Sequence, residues 1–299
     1  MTQWLQSLEG TPAGHDLALL LAVGAAVLHA LFGALQKGRH DPWISRAAID
    51  LSYALIAAPF ALFVVPWPEP HLWPLFAGVF VIHGIYKMFQ AMAYARGAYT
   101  VVYPVVRGTG PLVTVAFAGA VFGEHFAPGQ WLGVGLLSGG ILGLAAWNLA
   151  HVTAQRDTML PALGFAALTG VMVAAYTTWD AWGIRATADP FTFLAWFFLI
   201  DGVLIPTLFA RRLAALRGAD IVAVARRGVF GALVAFASFG AVMLATRLDK
   251  VGEAAVLRET STVFAALIGW WVLGEKTGRV PVMLMAVIAA GAVLVEVMG

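Results

Sequence analysis

The polar residues with the most chemical potential in this sequence lie inside long apolar stretches. His83, Tyr86, Lys87, Gln90 and Tyr94 follow one another at steps of three and four, the spacing of a single helical stripe. A lysine on such a stripe is costly in hydrocarbon, so the stripe must face the protein interior or a hydrated cavity. Tyr103 and Arg107 stand in a segment with Pro104, Gly108, Gly110 and Pro111. Tyr176, Trp179 and Asp180 lie in another apolar run, and Arg258 and Glu259 are adjacent in a third. Together these residues form a candidate substrate-binding set. Lys87, Arg107 and Arg258 are cations for a carboxylate, Asp180 and Glu259 are acids for an amine, and the tyrosines and Trp179 offer stacking and cation–π contact to an apolar body. The alternative for the two central charges is a fixed Lys87–Asp180 ion pair, since buried charges are normally paired. Asp50 and Asp201 are single acids near span ends, where snorkelling to water competes with a functional role.

No enzyme is expected. His29 and His83 fall on separate helices, and neither His-Glu-x-x-His nor Gly-x-Ser-x-Gly occurs. No cofactor or metal is implied.

The elements that must position these side chains follow from composition. Of 299 residues 61% are apolar and 11% charged, too little polar surface to wrap a soluble core. Ten windows reach the roughly 20 apolar residues of a helical span. They lie near 17–37, 44–65, 72–95, 99–122, 130–149, 159–184, 190–212, 222–247, 252–273 and 279–298. Continuous apolar runs favour helices over barrel strands, which would alternate. The predicted fold class is therefore all-α, a polytopic membrane protein of ten transmembrane helices, preceded by a short tail over 1–16. With no cysteine, disulfides and thiolate chemistry are excluded. The sequence pI is 9.0, but the net charge is only +2 and the basic residues cluster in loops, so a nucleic-acid partner is excluded.

The chain repeats itself. Laid without a gap over Leu244–Glu275, Ala93–Glu124 aligns Arg96, Val105, Arg107, Thr109, Val121, Gly123 and Glu124 with residues of the same type 151 positions later. The shared plan is two arginines eleven positions apart, then an apolar run closed by Gly-Glu. It divides the chain into five-helix repeats over 17–150 and 151–299. Asp41-Pro42 and Asp189-Pro190 extend the match to the first span of each half, where they should end one helix and start the next. Of eighteen Lys and Arg, twelve fall in or beside odd-numbered loops and three in even ones. The positive-inside rule then places both termini on the outer side. Five spans is an odd number, so the second repeat is inverted, and the binding site is expected near the midplane between the halves.

Local expectations follow. The fourth span, with its prolines and glycines, should bend or break, whereas the ninth, which lacks them, should stay continuous. On the eighth span Val234, Ala237, Ser238, Ala241 and Ala245 are the repeat equivalents of the polar stripe and should leave it room. Gly123 and Gly274 should cap their helices, with Glu124 and Glu275 reaching water.

Ten spans in two halves, the Tyr103–Leu112 segment Tyr-Pro-Val-Val-Arg-Gly-Thr-Gly-Pro-Leu and the paired Gly-Glu resemble the EamA-type members of the drug/metabolite transporter superfamily. The resemblance covers nearly the whole chain. It implies a multi-pass carrier of the bacterial inner membrane with a central cavity, working by alternating access. Within that group, His83, Tyr86 and Lys87 with Tyr103 look like the aromatic and neutral amino-acid exporters. The expected partners are the lipid bilayer and an amino-acid substrate. Protons on Asp180, Glu259 or His83 are a candidate coupling ion, although facilitated movement needs none. A phosphorylated metabolite, nucleotide sugar or amphipathic cation is the alternative substrate. Asp180 and Glu259 argue against a phosphate.

Overall fold

A computed structural model describes residues 2–36, 41–151, 156–271 and 278–299. The helices are α1 (Thr2–Leu8), α2 (Pro12–Gln36), α3 (Pro42–Phe63), α4 (Trp73–Arg96), α5 (Tyr99–Phe122), α6 (Pro128–His151) and α7 (Arg156–Ala186). The remainder are α8 (Pro190–Asp201), α9 (Leu204–Leu208), α10 (Ala210–Ala214), α11 (Ala219–Leu248), α12 (Val251–Glu259), α13 (Ser261–Trp271) and α14 (Arg279–Val297). Among the described residues nine stretches are long and apolar enough to cross a membrane. The pair α12–α13 makes the tenth segment. The protein is thus an all-α polytopic membrane protein built as two related five-segment halves.

Local chemistry sets the ends of these helices. Asp41 and Asp189 each accept a hydrogen bond from the backbone N–H two residues on, at 2.8 and 3.2 Å, with Pro42 and Pro190 in the first turn. Gly123 adopts a left-handed conformation at φ 68° and closes α5 by donating to the carbonyls of Ala118 and Gly119. Residues 2–8, within the expected short tail, form α1, which joins the bundle through Gln6 Nε2 on the Ala188 carbonyl at 2.8 Å.

The two central segments reverse the expected behaviour. α5 runs unbroken through Pro104 and Pro111. Pro104 has no N–H to offer the Thr100 carbonyl, and Asn148 Nδ2 from α6 supplies a donor at 2.7 Å. The ninth segment breaks at Thr260 instead. There the Thr260 hydroxyl donates to the Leu257 carbonyl at 2.6 Å while its own N–H tightens onto the same oxygen at 3.1 Å. A threonine hydroxyl that bonds back to a carbonyl of the preceding turn competes with the helical ladder and bends the helix. The seventh segment is interrupted too, because α8 stops at Asp201.

The halves are interleaved. The first helix of each half packs on the third of the other, α7 on α4 and α2 on α11, and also on the other half's fourth segment, α7 on α5 and α2 on α12 and α13. Equivalent helices meet at the pseudo-two-fold axis, α3 against α8 and α6 against α14. The α6–α14 crossing is backbone on backbone: a Cβ on Gly133 would lie 2.7 Å from the Gly291 carbonyl oxygen, and one on Gly291 2.6 Å from that of Gly133.

Candidate substrate site

Two clusters of buried charge sit where the halves meet. In the first, Lys87 on α4 lies between two acids that are 151 positions apart and so occupy equivalent places in the repeats. Its ammonium is 2.8 Å from Asp50 Oδ2 on α3 and 2.8 Å from Asp201 Oδ1 at the end of α8. It also donates to the Asp201 backbone carbonyl at 2.9 Å and to the Tyr53 hydroxyl at 3.1 Å. That carbonyl is available because α8 ends there, and a cation at a helix C-terminus is electrostatically favoured. Tyr53 in turn donates to Asp201, and Arg46 Nε stands 2.7 Å from Asp50 Oδ1. Asp50 has no solvent exposure and Lys87 only 4%. Neither Asp50 nor Asp201 snorkels. Both are inner partners of Lys87, whose three N–H groups are all engaged.

The second cluster inverts this arrangement. Arg107 and Arg258, again 151 positions apart, share one acid, Glu259. Arg107 Nε is 2.8 Å from Glu259 Oε2, and Arg258 Nη2 is 3.4 Å from Oε1. Arg107 also donates to the Ser261 hydroxyl at 3.0 Å, beyond the Thr260 break, and lies 5.8 Å from the centre of the Tyr103 ring. Every residue of α12 is buried. Glu124 anchors its start, accepting from the N–H groups of Val251 at 2.7 Å and Gly252 at 3.0 Å. Expected to reach water, Glu124 is instead a helix cap, because α12 brings unsatisfied amides to it. Gly274 and Glu275 lie outside the described residues.

Between the clusters His83 Nε2 is 2.9 Å from Asp180 Oδ2, and His83 Nδ1 is 3.6 Å from Asp201 Oδ1. The Lys87–Asp180 pair is not formed: Lys87 turns to α3 and α8, leaving Asp180 to the histidine. The other carboxylate oxygen of Asp180 has no hydrogen-bond partner among the described residues. Two narrow cavities flank this bond. One, about 20 Å³, is bordered by Tyr53, His83, Tyr86, Phe197, Phe198 and Ala235. The other, about 10 Å³, lies between Asp180 and Arg258, with Tyr176, Thr177 and Thr246 on its wall. Each has room for about one water, so admission of a larger molecule requires the helices or side chains around it to move.

Of the remaining expected site residues, Tyr86 and Tyr176 line the cavities, whereas Gln90, Tyr94, Tyr103 and Trp179 line neither. Tyr86 and Tyr176 meet edge to face at 4.9 Å beside His83, and Gln90 donates to the Tyr86 hydroxyl at 2.7 Å. Tyr94 and Tyr103 flank Tyr99 at ring separations of 5.3 and 5.1 Å, a column leading from Arg107 towards the α4–α5 turn. Trp179 lines neither cavity and donates to the Leu75 carbonyl at 2.9 Å. The face α11 turns to the cavities is Ala235, Phe239, Val242, Met243 and Thr246, not the expected small-residue stripe. Of that stripe Ser238 donates to the Ala25 carbonyl at 3.0 Å. Small residues there let α11 lie directly on α2 and do not open a void.

Arg46, Asp50, Tyr53 and Asp201 belong to the network although sequence reasoning did not select them. A signal for the two acids was present: the repeat offset relates Asp50 to Asp201 as it relates Arg107 to Arg258. Arg46 and Tyr53 follow from Asp50 by helical spacing, four residues before it and three after.

Known proteins place this architecture. The sequence matches the EamA-like transporter family twice, over residues 16–146 and 160–297. One similar solved structure, titled only "Crystal structure of protein", is 20% identical, covers 94% of this chain and 99% of its own, and superposes with a TM-score of 0.73. At that identity it shows the shared fold alone. No curated protein matches the sequence. The two matches span most of the chain, and the protein belongs to the EamA-like transporter family.

Proposed function

We propose that this membrane transporter moves amino acids, with aromatic and other large neutral ones preferred, by alternating access through the space between the two charge clusters. The family supports transport of a small molecule, and the charge balance supports a zwitterion. Counted with neutral histidine, the first cluster is balanced, Arg46 and Lys87 against Asp50 and Asp201, and Asp180 between the clusters adds one negative charge in excess. The second has Arg107 and Arg258 against Glu259, one positive in excess. The excess charges fall on Asp180, one of whose oxygens has no hydrogen-bond partner among the described residues, and on Arg258, which donates to its sequence neighbour Glu259 at 3.4 Å. They border the same cavity. This opposition carries the reading: an ammonium meets Asp180 and a carboxylate meets Arg258, while Tyr176 and Phe239 supply apolar surface. Lys87 acts here as the strut of its cluster. A phosphorylated substrate would bring charge that Asp180 repels.

The test is competition against labelled phenylalanine uptake into proteoliposomes holding only this protein. Unlabelled phenylalanine should compete, whereas phenethylamine, lacking the carboxylate, and phenylpropionate, lacking the amine, should be weaker by about tenfold or more, since each leaves one buried charge unpaired. Asp180→Asn should abolish the penalty for the missing amine. Equal competition by all three would overturn the zwitterion reading, and transport of sugar phosphates in place of phenylalanine would replace the substrate class.

A further inference from the structure

We propose that Phe239 is a movable partition that decides which substrate side chains the site accepts. The inference rests on the amino-acid reading and goes beyond it by assigning the side-chain pocket. The two cavities flanking the His83–Asp180 bond share one lining residue, Phe239 on α11. Its ring packs against both apolar clusters that surround the site, one built around Phe193, Phe197 and Phe198 and the other around Tyr86 and Tyr176.

Three contacts separate the cavities, and they differ in what must be given up to open them. His83–Asp180 is a buried hydrogen bond to a carboxylate at 2.9 Å, and such bonds are among the stronger ones. The Tyr86–Tyr176 contact is restrained by Gln90 on the Tyr86 hydroxyl at 2.7 Å. Phe239 has no polar atom to hold it. It is only half-buried, and its ring partner is His29, edge to face at 6.2 Å. A rotation of this one side chain therefore joins the cavities without breaking a hydrogen bond.

The joined space is polarised. On one side of Phe239 lie Asp180 and Arg258, the readers of the amine and carboxylate. On the other lie Phe197, Phe198 and Tyr86, with Ala235 as the smallest neighbour on α11. The apolar side chain of a bound amino acid takes the place of the Phe239 ring and extends between Phe197, Phe198 and Ala235. A bulky side chain needs the ring fully displaced, and a small one does not.

The experiment compares tryptophan with alanine as competitors of phenylalanine uptake, in wild type and in Phe239→Ala, Phe239→Leu and Ala235→Leu. Trimming Phe239 should raise the tryptophan-to-alanine preference by about tenfold or more, with an intermediate rise for the leucine variant. Ala235→Leu, which shortens the aromatic side, should lower the preference by a similar factor. An unchanged ratio in variants that remain monodisperse and as heat-stable as wild type would overturn the assignment. Should Phe239→Ala fail to fold, the leucine variant and Ala235→Leu decide the matter. The amino-acid reading fails separately, if no amino acid competes in wild type.

Discussion

Replacing Lys87 with methionine separates a strut from a substrate ligand. The side chain keeps its length and apolar stem but loses the charge that lies 2.8 Å from each of two buried carboxylates. At an effective dielectric constant near 20, each contact corresponds to about 6 kcal/mol of Coulomb energy before desolvation. Desolvation of the ammonium offsets much of this, and measured losses on removing one partner of a buried pair run about 3–5 kcal/mol. Asp50 keeps Arg46 at 2.7 Å, whereas among the described residues Asp201 keeps the Tyr53 hydroxyl and a distant His83 nitrogen at 3.6 Å. The destabilisation should therefore centre on Asp201. At about 2–4 °C per kcal/mol for a chain of somewhat smaller size, the apparent Tm in detergent should fall on the order of 10 °C. Adding Asp201→Asn removes the stranded charge and should restore at least about half of the loss, a coupling that a double-mutant cycle reads directly. Lys87→Met with wild-type stability would refute the strut. If the same variant also lost phenylalanine binding, the ammonium would be a ligand of the substrate carboxylate.

Other variants probe the parts that set up the site. Glu124→Ala removes the acceptor of two α12 amides and should lower stability by about 1–2 kcal/mol; Glu124→Gln, which keeps an acceptor oxygen, should lose less, and equal losses in the two would argue against capping. Gly291→Ala places a methyl 2.6 Å from the Gly133 carbonyl oxygen. Forced separation of α6 and α14 should lower the apparent Tm by the equivalent of about 1–3 kcal/mol, and no change would show that the crossing does not require backbone contact at Gly291. Arg107→Lys cannot span both Glu259 at 2.8 Å and the Ser261 hydroxyl at 3.0 Å. It should cost stability with little recovery by Ser261→Ala, and a fully stable lysine variant would mean the guanidinium geometry is not required.

The sequence by itself determined the class and the plan. An apolar fraction of 61% leaves only a membrane solution, and a repeat offset of 151 marks equivalent positions whether or not a structure is known. The helix starts at Asp41-Pro42 and Asp189-Pro190 and the cap at Gly123 were legible because they depend on neighbours within a few residues. Pairing of the charges was not. Lys87 and Asp180 are both central, yet Lys87 turns to Asp50 and Asp201 because α3 and the end of α8 converge on the axis. Glu124 points inward because α12 presents its amides there. Helix breaks depend on distant partners for the same reason: a proline's missing donor is made good by Asn148 from α6, and the ninth segment breaks where the Thr260 hydroxyl folds back on the Leu257 carbonyl. Periodicity and repeats are properties of one chain segment, but which buried charge meets which is decided by segments far apart in sequence that only the packed helices bring together.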